Sequence, residues 1–260
     1  MTKQTHALFY RELGETDARP LLILHGLLGT SDNWQTLGKQ FAQTHRVHLI
    51  DQRNHGRSPH DPVHDYAAMA EDVLHHLNRT GIDRASIIGH SMGGKTALMF
   101  AHLHPNRVQK LVVADMAARR YEPHHEAIFD ALLSAPIQAA QGRAQVEQHL
   151  MGQLADPGMV GFLMKNLRRE KTGGFAWRPN LPVLANGLYA VVDAVPLEMN
   201  TLPTLAIYGG QSNYVNPQDL VDFASACMQF QSHEIKEAGH WLHASQPDEF
   251  FEEVAAFLEG

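Results

Sequence analysis

Two periods of apolar and polar residues alternate along this chain. Short, nearly unbroken apolar runs lie at residues 21–24, 85–89, 111–115 and 204–209, with further strands expected over 6–13, 46–51 and 232–236. Runs of this length without a polar face are those of buried parallel strands. Between them the spacing becomes helical. Residues 66–79 place Ala70, Val73, Leu74 and Leu77 on one face, and 95–102, 217–227 and 247–258 carry the same signal. Ser31-Asp32-Asn33 offers N-cap chemistry for a helix through Phe41. Strand alternating with helix predicts an α/β fold, a mostly parallel sheet with helices on both faces.

The rhythm breaks after Asp115. From 118 to 196 the chain offers helical stretches only, at 124–134, 143–154, 159–169 and 183–193, interrupted by Gly173-Gly174 and several prolines. Large apolar residues are frequent here, among them Phe129, Phe162, Phe175, Trp177 and Tyr189. An all-helical cap is therefore expected as an insertion, with the core formed by 1–117 and 197–260. Both ends of 118–196 meet at one edge of the sheet, so it is an insert rather than an independent domain.

The bulk numbers narrow the partners. A chain of 260 residues can build one large core with an inserted lid. Hydrophobic residues at 44% and charged residues at 19% mark it as globular. A net charge of −7, with no long basic run, argues against nucleic acid and anionic membranes. Cys227 is the single cysteine, so no intramolecular disulfide forms, which fits a reducing compartment; its apolar neighbours suggest a buried structural thiol. The 18 histidines are scattered. His75-His76, His102/His104 and His124-His125 lack the matched partners of a metal site, and no metal is expected. Residues 1–6 lack the apolar core of a signal peptide, and no apolar stretch approaches the ~20 residues that span a bilayer. The expectation is a soluble cytoplasmic protein, a monomer or weak homodimer.

The strand at 85–89 runs into Gly89-His90-Ser91-Met92-Gly93, and a helical segment follows. A serine between glycines at a strand-to-helix turn reads as a nucleophile elbow. Glycines at 89 and 93 remove side chains that so sharp a turn would bring into collision. The Met92 N–H then lies at a helix N-terminus, where it can stabilise an oxyanion. A second donor is expected from His25-Gly26-Leu27-Leu28-Gly29, with the Leu27 N–H aimed at the same oxygen. A serine hydroxyl needs a base. His240, after the last strand in Glu237-Ala238-Gly239-His240-Trp241, sits on a loop at the same sheet edge. His243 falls on another side of that turn.

The acid is less plainly written. Where a carboxylate usually follows the next-to-last strand, this chain has Ser212, and Asp219 and Asp222 lie inside the following helix. Asp115 ends the strand next to the nucleophile's and reaches the same imidazole from there. Asp115→Asn is then expected to cost orders of magnitude in turnover, and Ser212→Ala little.

With these residues assembled, the chain resembles the α/β-hydrolase superfamily over nearly its whole length. Asp51-Gln52-Arg53-Asn54-His55-Gly56-Arg57-Ser58-Pro59-His60 is similar to the loop of a bacterial serine-esterase subgroup with mitochondrial relatives in eukaryotes. That resemblance implies an acid after strand six, matching Asp115, and a Trp-x-x-Asn element in the cap, matching Trp177 and Asn180. It implies carboxylesterase activity on short to medium acyl esters, extending to acyl thioesters, with no cofactor and no metal. His25, Leu28, His90, Trp177 and Trp241 are the candidate lining of the substrate pocket. Arg53 and His55 are expected to hydrogen-bond their loop against the oxyanion turn.

Two other readings stay open. Carbon–carbon bond hydrolases or lyases share this scaffold, although such relatives generally keep the acid that is missing here. The fold is also used by non-catalytic small-molecule receptors, against which the Ser/Asp/His set weighs.

Overall fold

The computed structural model of the protein describes residues 4–171 and 173–260. Met1, Thr2 and Lys3, on which the signal-peptide reading partly rests, lie outside the described residues, as does Thr172. The strands are β1 (Tyr10–Leu13), β2 (Arg19–Leu24), β3 (His45–Ile50), β4 (Ala85–His90), β5 (Val108–Ala114), β6 (Leu167–Arg169), β7 (Phe175–Trp177), β8 (Thr204–Gly209) and β9 (Phe230–Ile235). Seven of them form one sheet in the order β1-β3-β2-β4-β5-β8-β9. Within this sheet, among the described residues, only β1 runs antiparallel to its neighbour. The helices are α1 (Gln35–Phe41), α2 (Tyr66–Thr80), α3 (Met92–Leu103), α4 (Glu126–Ser134), α5 (Arg143–Leu154), α6 (Pro157–Met164), α7 (Leu181–Asn186), α8 (Leu188–Val192), α9 (Pro217–Ala226), α10 (Leu242–Ser245) and α11 (Pro247–Glu259).

The period-2 geometry of the strands explains why the apolar runs are unbroken. Leu22 and Leu24 of β2 pack in one cluster with α2, α3 and α9, while Leu21 and Ile23 pack on the opposite face with α1 and α11. The inner strands β2, β3, β4, β5 and β8 bury both faces, whereas β1 and β9 at the edges stay partly exposed. None of the helices among the described residues is long and apolar enough to cross a membrane.

Three expectations need correction. The first strand begins at Tyr10, not His6, because the polar groups before it are taken elsewhere. The Phe9 N–H donates to Ser58 Oγ at 2.8 Å and the His6 N–H to Asp72 Oδ1 at 2.8 Å. At the first helix a 3₁₀ turn, Ser31–Trp34, precedes α1, and Thr30 rather than Ser31 takes the capping position. Finally, the segment between β5 and β8 is not all-helical. The helix expected over 159–169 ends at Met164, and β6 pairs with β7 as an antiparallel hairpin. Gly173 and Gly174, at φ 99° and 72°, supply its turn. The strand that the resemblance counts as the sixth is β5 here.

Polar groups buried at chosen points tie this insert to the core. Lys95 of α3 is fully buried, and its ammonium donates to the carbonyls of Arg119 (2.8 Å), Val192 (3.2 Å) and Asp193 (2.5 Å). One cation thus holds the chain both entering and leaving the insert. Burial pushes its pKa down to about 7 against the opposing Asp193 charge. Asn180 donates from Nδ2 to Asn54 Oδ1 at 3.0 Å, and Asn166 from Nδ2 to the Leu28 carbonyl at 2.7 Å.

A histidine pair joins α2 to the sheet edge. His48 Nδ1 and His76 Nε2 share a 2.8 Å hydrogen bond with no solvent exposure, and Tyr10 stacks on His48. The outer nitrogen of His48 faces Glu12 at 3.6 Å, and that of His76 has no hydrogen-bond partner among the described residues. Burial outweighs the Glu12 charge and lowers the two pKa values to about 4 and about 3. In the unfolded chain both rings titrate near 6.5. The folded state therefore holds fewer protons below that pH, and its stability falls as pH falls. Each such ring contributes a slope of up to about 1.4 kcal/mol per pH unit. The midpoint of thermal unfolding is expected to fall steadily from pH 7 to pH 4, and less so in a His48→Gln/His76→Gln variant. Equal slopes for the two proteins would contradict this account.

Candidate active site

The site forms where β4, β5, β8 and the loop after β9 deliver side chains to one edge of the sheet. Ser91 joins β4 to α3 with φ 54° and ψ −122°, a conformation that costs of order 1–3 kcal/mol for a non-glycine residue. Its neighbours make the turn possible. A Cβ on Gly89 would lie 2.3 Å from the Gly93 carbonyl oxygen, and one on Gly93 would lie 2.3 Å from that of Leu24. The turn is pinned by the Ser91 N–H donating to the Ala114 carbonyl at 3.0 Å.

The structure brings the three candidate catalytic side chains together. Ser91 Oγ lies 3.0 Å from His240 Nε2, and His240 Nδ1 lies 2.7 Å from Asp115 Oδ2. With Nδ1–H donating to the carboxylate, Nε2 carries the lone pair that accepts the serine proton. Asp115 is fully buried and also leaves its strand with a positive φ, 48°. Its carboxylate takes three donors: His240 on Oδ2, Ser212 Oγ–H on the same oxygen at 2.5 Å, and the Gly209 N–H on Oδ1 at 3.0 Å. Ser212 therefore touches the acid directly, and the expectation that its loss would change little is revised. Tyr214 stacks on His240 with ring centroids 3.9 Å apart and 16° between planes. Its hydroxyl donates to His124 Nε2 at 2.7 Å. Neither Tyr214 nor His124 was picked out by the sequence reasoning.

The Leu27 and Met92 N–H groups donate to no acceptor among the described residues, whereas those of Leu28, Gly29, Ser91 and Gly94 are used. The turn carrying Leu27 is held by two buried neutral imidazoles. His25 donates from Nδ1 to the Gly26 carbonyl (2.8 Å) and accepts at Nε2 from the Gln52 N–H (3.0 Å). His55 donates from Nδ1 to the Arg53 carbonyl (2.9 Å) and accepts at Nε2 from the Leu28 N–H (3.0 Å). Burial pushes both pKa values down. Arg53 plays a different part from the one expected. It pairs with Asp72 through Nε at 2.6 Å and a second nitrogen at 2.9 Å, anchoring the loop to α2 instead of the oxyanion turn.

Above these groups lies a cavity of about 640 Å³. His25, Leu28, His90 and Trp241 line it, with Leu27, Ile128, Met159 and Phe162 adding apolar wall. His243 lines it too, stacked on Trp34 at 4.1 Å and 6°, rather than turning away. Trp177 does not line the cavity. Its indole N–H donates to the Leu132 carbonyl at 3.0 Å, so the ring braces the hairpin against α4. His90 donates from Nε2 to the His240 carbonyl at 2.8 Å, and burial lowers its pKa well below the usual value. Arg119, at the rim, is paired with buried Asp219 at 3.0 Å. No group of three His, Cys, Asp or Glu side chains among the described residues is arranged to hold a metal ion.

Several known proteins resemble this chain along most of its length. Esterase YbfF of Escherichia coli (strain K12) is 36% identical over 240 residues, covering 92% of this chain and 92% of its own. The sn-1-specific diacylglycerol lipase ABHD11 of Mus musculus is 35% identical over 254 residues, covering 94% of this chain and 82% of its own. A solved structure described as a marine microorganism esterase superposes with a TM-score of 0.94 at 35% identity, over 97% of this chain and all of that one. The sequence profile of the alpha/beta hydrolase fold matches residues 19–247, and with that match, these relatives and the sheet order the chain belongs to the α/β-hydrolase family.

Proposed function

We propose that the protein is a serine carboxylesterase acting through an acyl-enzyme, with Ser91 as nucleophile, His240 as base and then acid, and Asp115 as the orienting carboxylate. The observation that carries this reading is the continuous relay from Ser91 Oγ to His240 (3.0 Å) to Asp115 (2.7 Å) beside two free amides. Ser91 Oγ bonds to the ester carbonyl carbon while its proton moves to His240 Nε2. The carbonyl oxygen gains charge and is held by the Leu27 and Met92 N–H groups, an arrangement in which one lost donor typically costs about 10²–10³ in rate. His240 then protonates the departing alcohol. Water repeats the sequence, with its proton passing through His240, and releases the acid. Thioesters follow the same steps with a thiol leaving. The named relatives, an esterase and a lipase, support ester hydrolysis.

In this reading residues 1–117 and 197–260 supply the machinery and 118–196 the cover that selects the substrate. The substrate is a small-molecule ester, no cofactor takes part, and the protein works in the cytoplasm as a monomer or weak homodimer. A short p-nitrophenyl ester is expected to release about one equivalent of p-nitrophenol per protein in a burst, leaving an acyl group on the peptide that carries Ser91. Saturable ligand binding with neither burst nor adduct would favour the receptor reading instead.

A further inference from the structure

Ser91 opens onto two spaces, not one. Besides the 640 Å³ cavity, a much smaller void of about 20 Å³ touches Ser91, Leu27 and Met92. Its remaining walls include Met116, Tyr121, Val191 and Val192, from the end of β5 and from the insert. The two spaces adjoin, sharing Ser91, Leu27, Tyr121, His124, His125 and Tyr214, but only the larger is lined by His240.

The tetrahedral carbon formed on Ser91 carries four groups whose directions are fixed by what each must touch. One is Ser91 Oγ. The oxyanion points at the Leu27 and Met92 N–H groups. The departing alcohol oxygen must meet His240 Nε2 to receive its proton, so the alcohol extends into the space that His240 lines. The acyl carbon takes the remaining direction, away from His240 and towards the small void. We infer that the small void is the acyl subsite and the large cavity the alcohol subsite, which makes the preferred substrates short-acyl esters of bulky, largely apolar alcohols. This rests on the esterase reading and narrows its acyl range.

The volumes set the limit. A void of about 20 Å³ has room for little more than the short tail of an acetyl group. Met116, Val191 and Val192 are buried and backed by the core, and Lys95 grips the Val192 carbonyl, so the wall yields little. Forcing extra methylenes into a packed wall is worth roughly a 10- to 100-fold loss in kcat/KM. The alcohol side, walled by Ile128, Met159, Phe162 and Trp241, has space for a ring or branched chain.

Two substrate series on the wild-type protein test this. With p-nitrophenol as the fixed leaving group, kcat/KM is expected to fall roughly 10- to 100-fold from the acetyl to the octanoyl ester. With acetate as the fixed acyl group, esters of ethanol, cyclohexanol and naphthol are expected to stay within about tenfold of one another or to rise with size. Met116→Ala or Val192→Ala should recover octanoyl turnover, and Phe162→Ala should alter the alcohol series alone. Octanoyl esters turned over as fast as acetyl esters would overturn the assignment, as would a Phe162→Ala variant that shifts the acyl profile. If no ester in either series gave turnover or a burst, the esterase reading itself would fail first.

Discussion

Ser91→Ala is expected to fold like the wild type and to hydrolyse acyl esters about 10⁵- to 10⁶-fold more slowly, the size of loss seen when a triad nucleophile is removed. The expectation rests on how little else the hydroxyl does. Its partner is His240 at 3.0 Å, whereas the turn is held by the Ser91 N–H on Ala114 and by the backbone around Gly89 and Gly93. Alanine meets the same φ of 54° at similar cost, so thermal unfolding should barely move. Steady-state hydrolysis of p-nitrophenyl acetate, with the active-site concentration of a wild-type sample as reference, measures the effect. A variant retaining more than a tenth of the activity would remove Ser91 from the mechanism.

The second large effect is at Asp115. An asparagine there keeps the shape but can turn its amide donors towards His240 Nδ1, favouring the tautomer whose Nε2 already carries a proton. That ring cannot accept the proton of Ser91, and a loss of about 10³–10⁴ in kcat is expected. Ser212→Ala removes one of three donors from the same carboxylate and should cost about 10- to 100-fold. Because both changes act through one imidazole, the double variant should lose far less than the product of the two. The pH–rate profile separates the roles, since Ser212→Ala should shift its acid limb and a purely structural substitution should not. Full activity in Asp115→Asn would assign the acid elsewhere.

Much of this was legible in the sequence because strong local geometry wrote it there. The elbow needs small residues at 89 and 93, and the contacts a Cβ would make show why. The inner parallel strands announce themselves because both their faces are buried. Asp115 was accessible by elimination, from the missing carboxylate after β8, and by the resemblance that puts an acid at the end of the neighbouring strand. The meaning of Ser212 was hidden for the same reason. A serine in an acid's usual place reads as a gap until the neighbouring strand is seen to bring a carboxylate against it. The hairpin at 167–177 escaped because its strands are three residues each, too short for a period, within a segment otherwise helical. Trp177 was assigned to the pocket by resemblance, and only coordinates place its ring against α4. Arg53 lies in the same loop as His55, but its guanidinium finds Asp72 on α2, a contact no local pattern encodes.

The buried ammonium of Lys95 also fixes where the insert is able to bend. It clasps residues 119, 192 and 193, and just beside it the Tyr121 N–H bonds the Val192 carbonyl and the Val195 N–H bonds that of Ala118. With its two stems clasped at the root, the lid has a stiff neck. Any opening must flex further out, through α6, where Met159 and Phe162 face the larger chamber, while Met116, Val191 and Val192 of the smaller one stay put. Entry for the alcohol portion is thereby adjustable, and the gauge for the acyl portion is rigid.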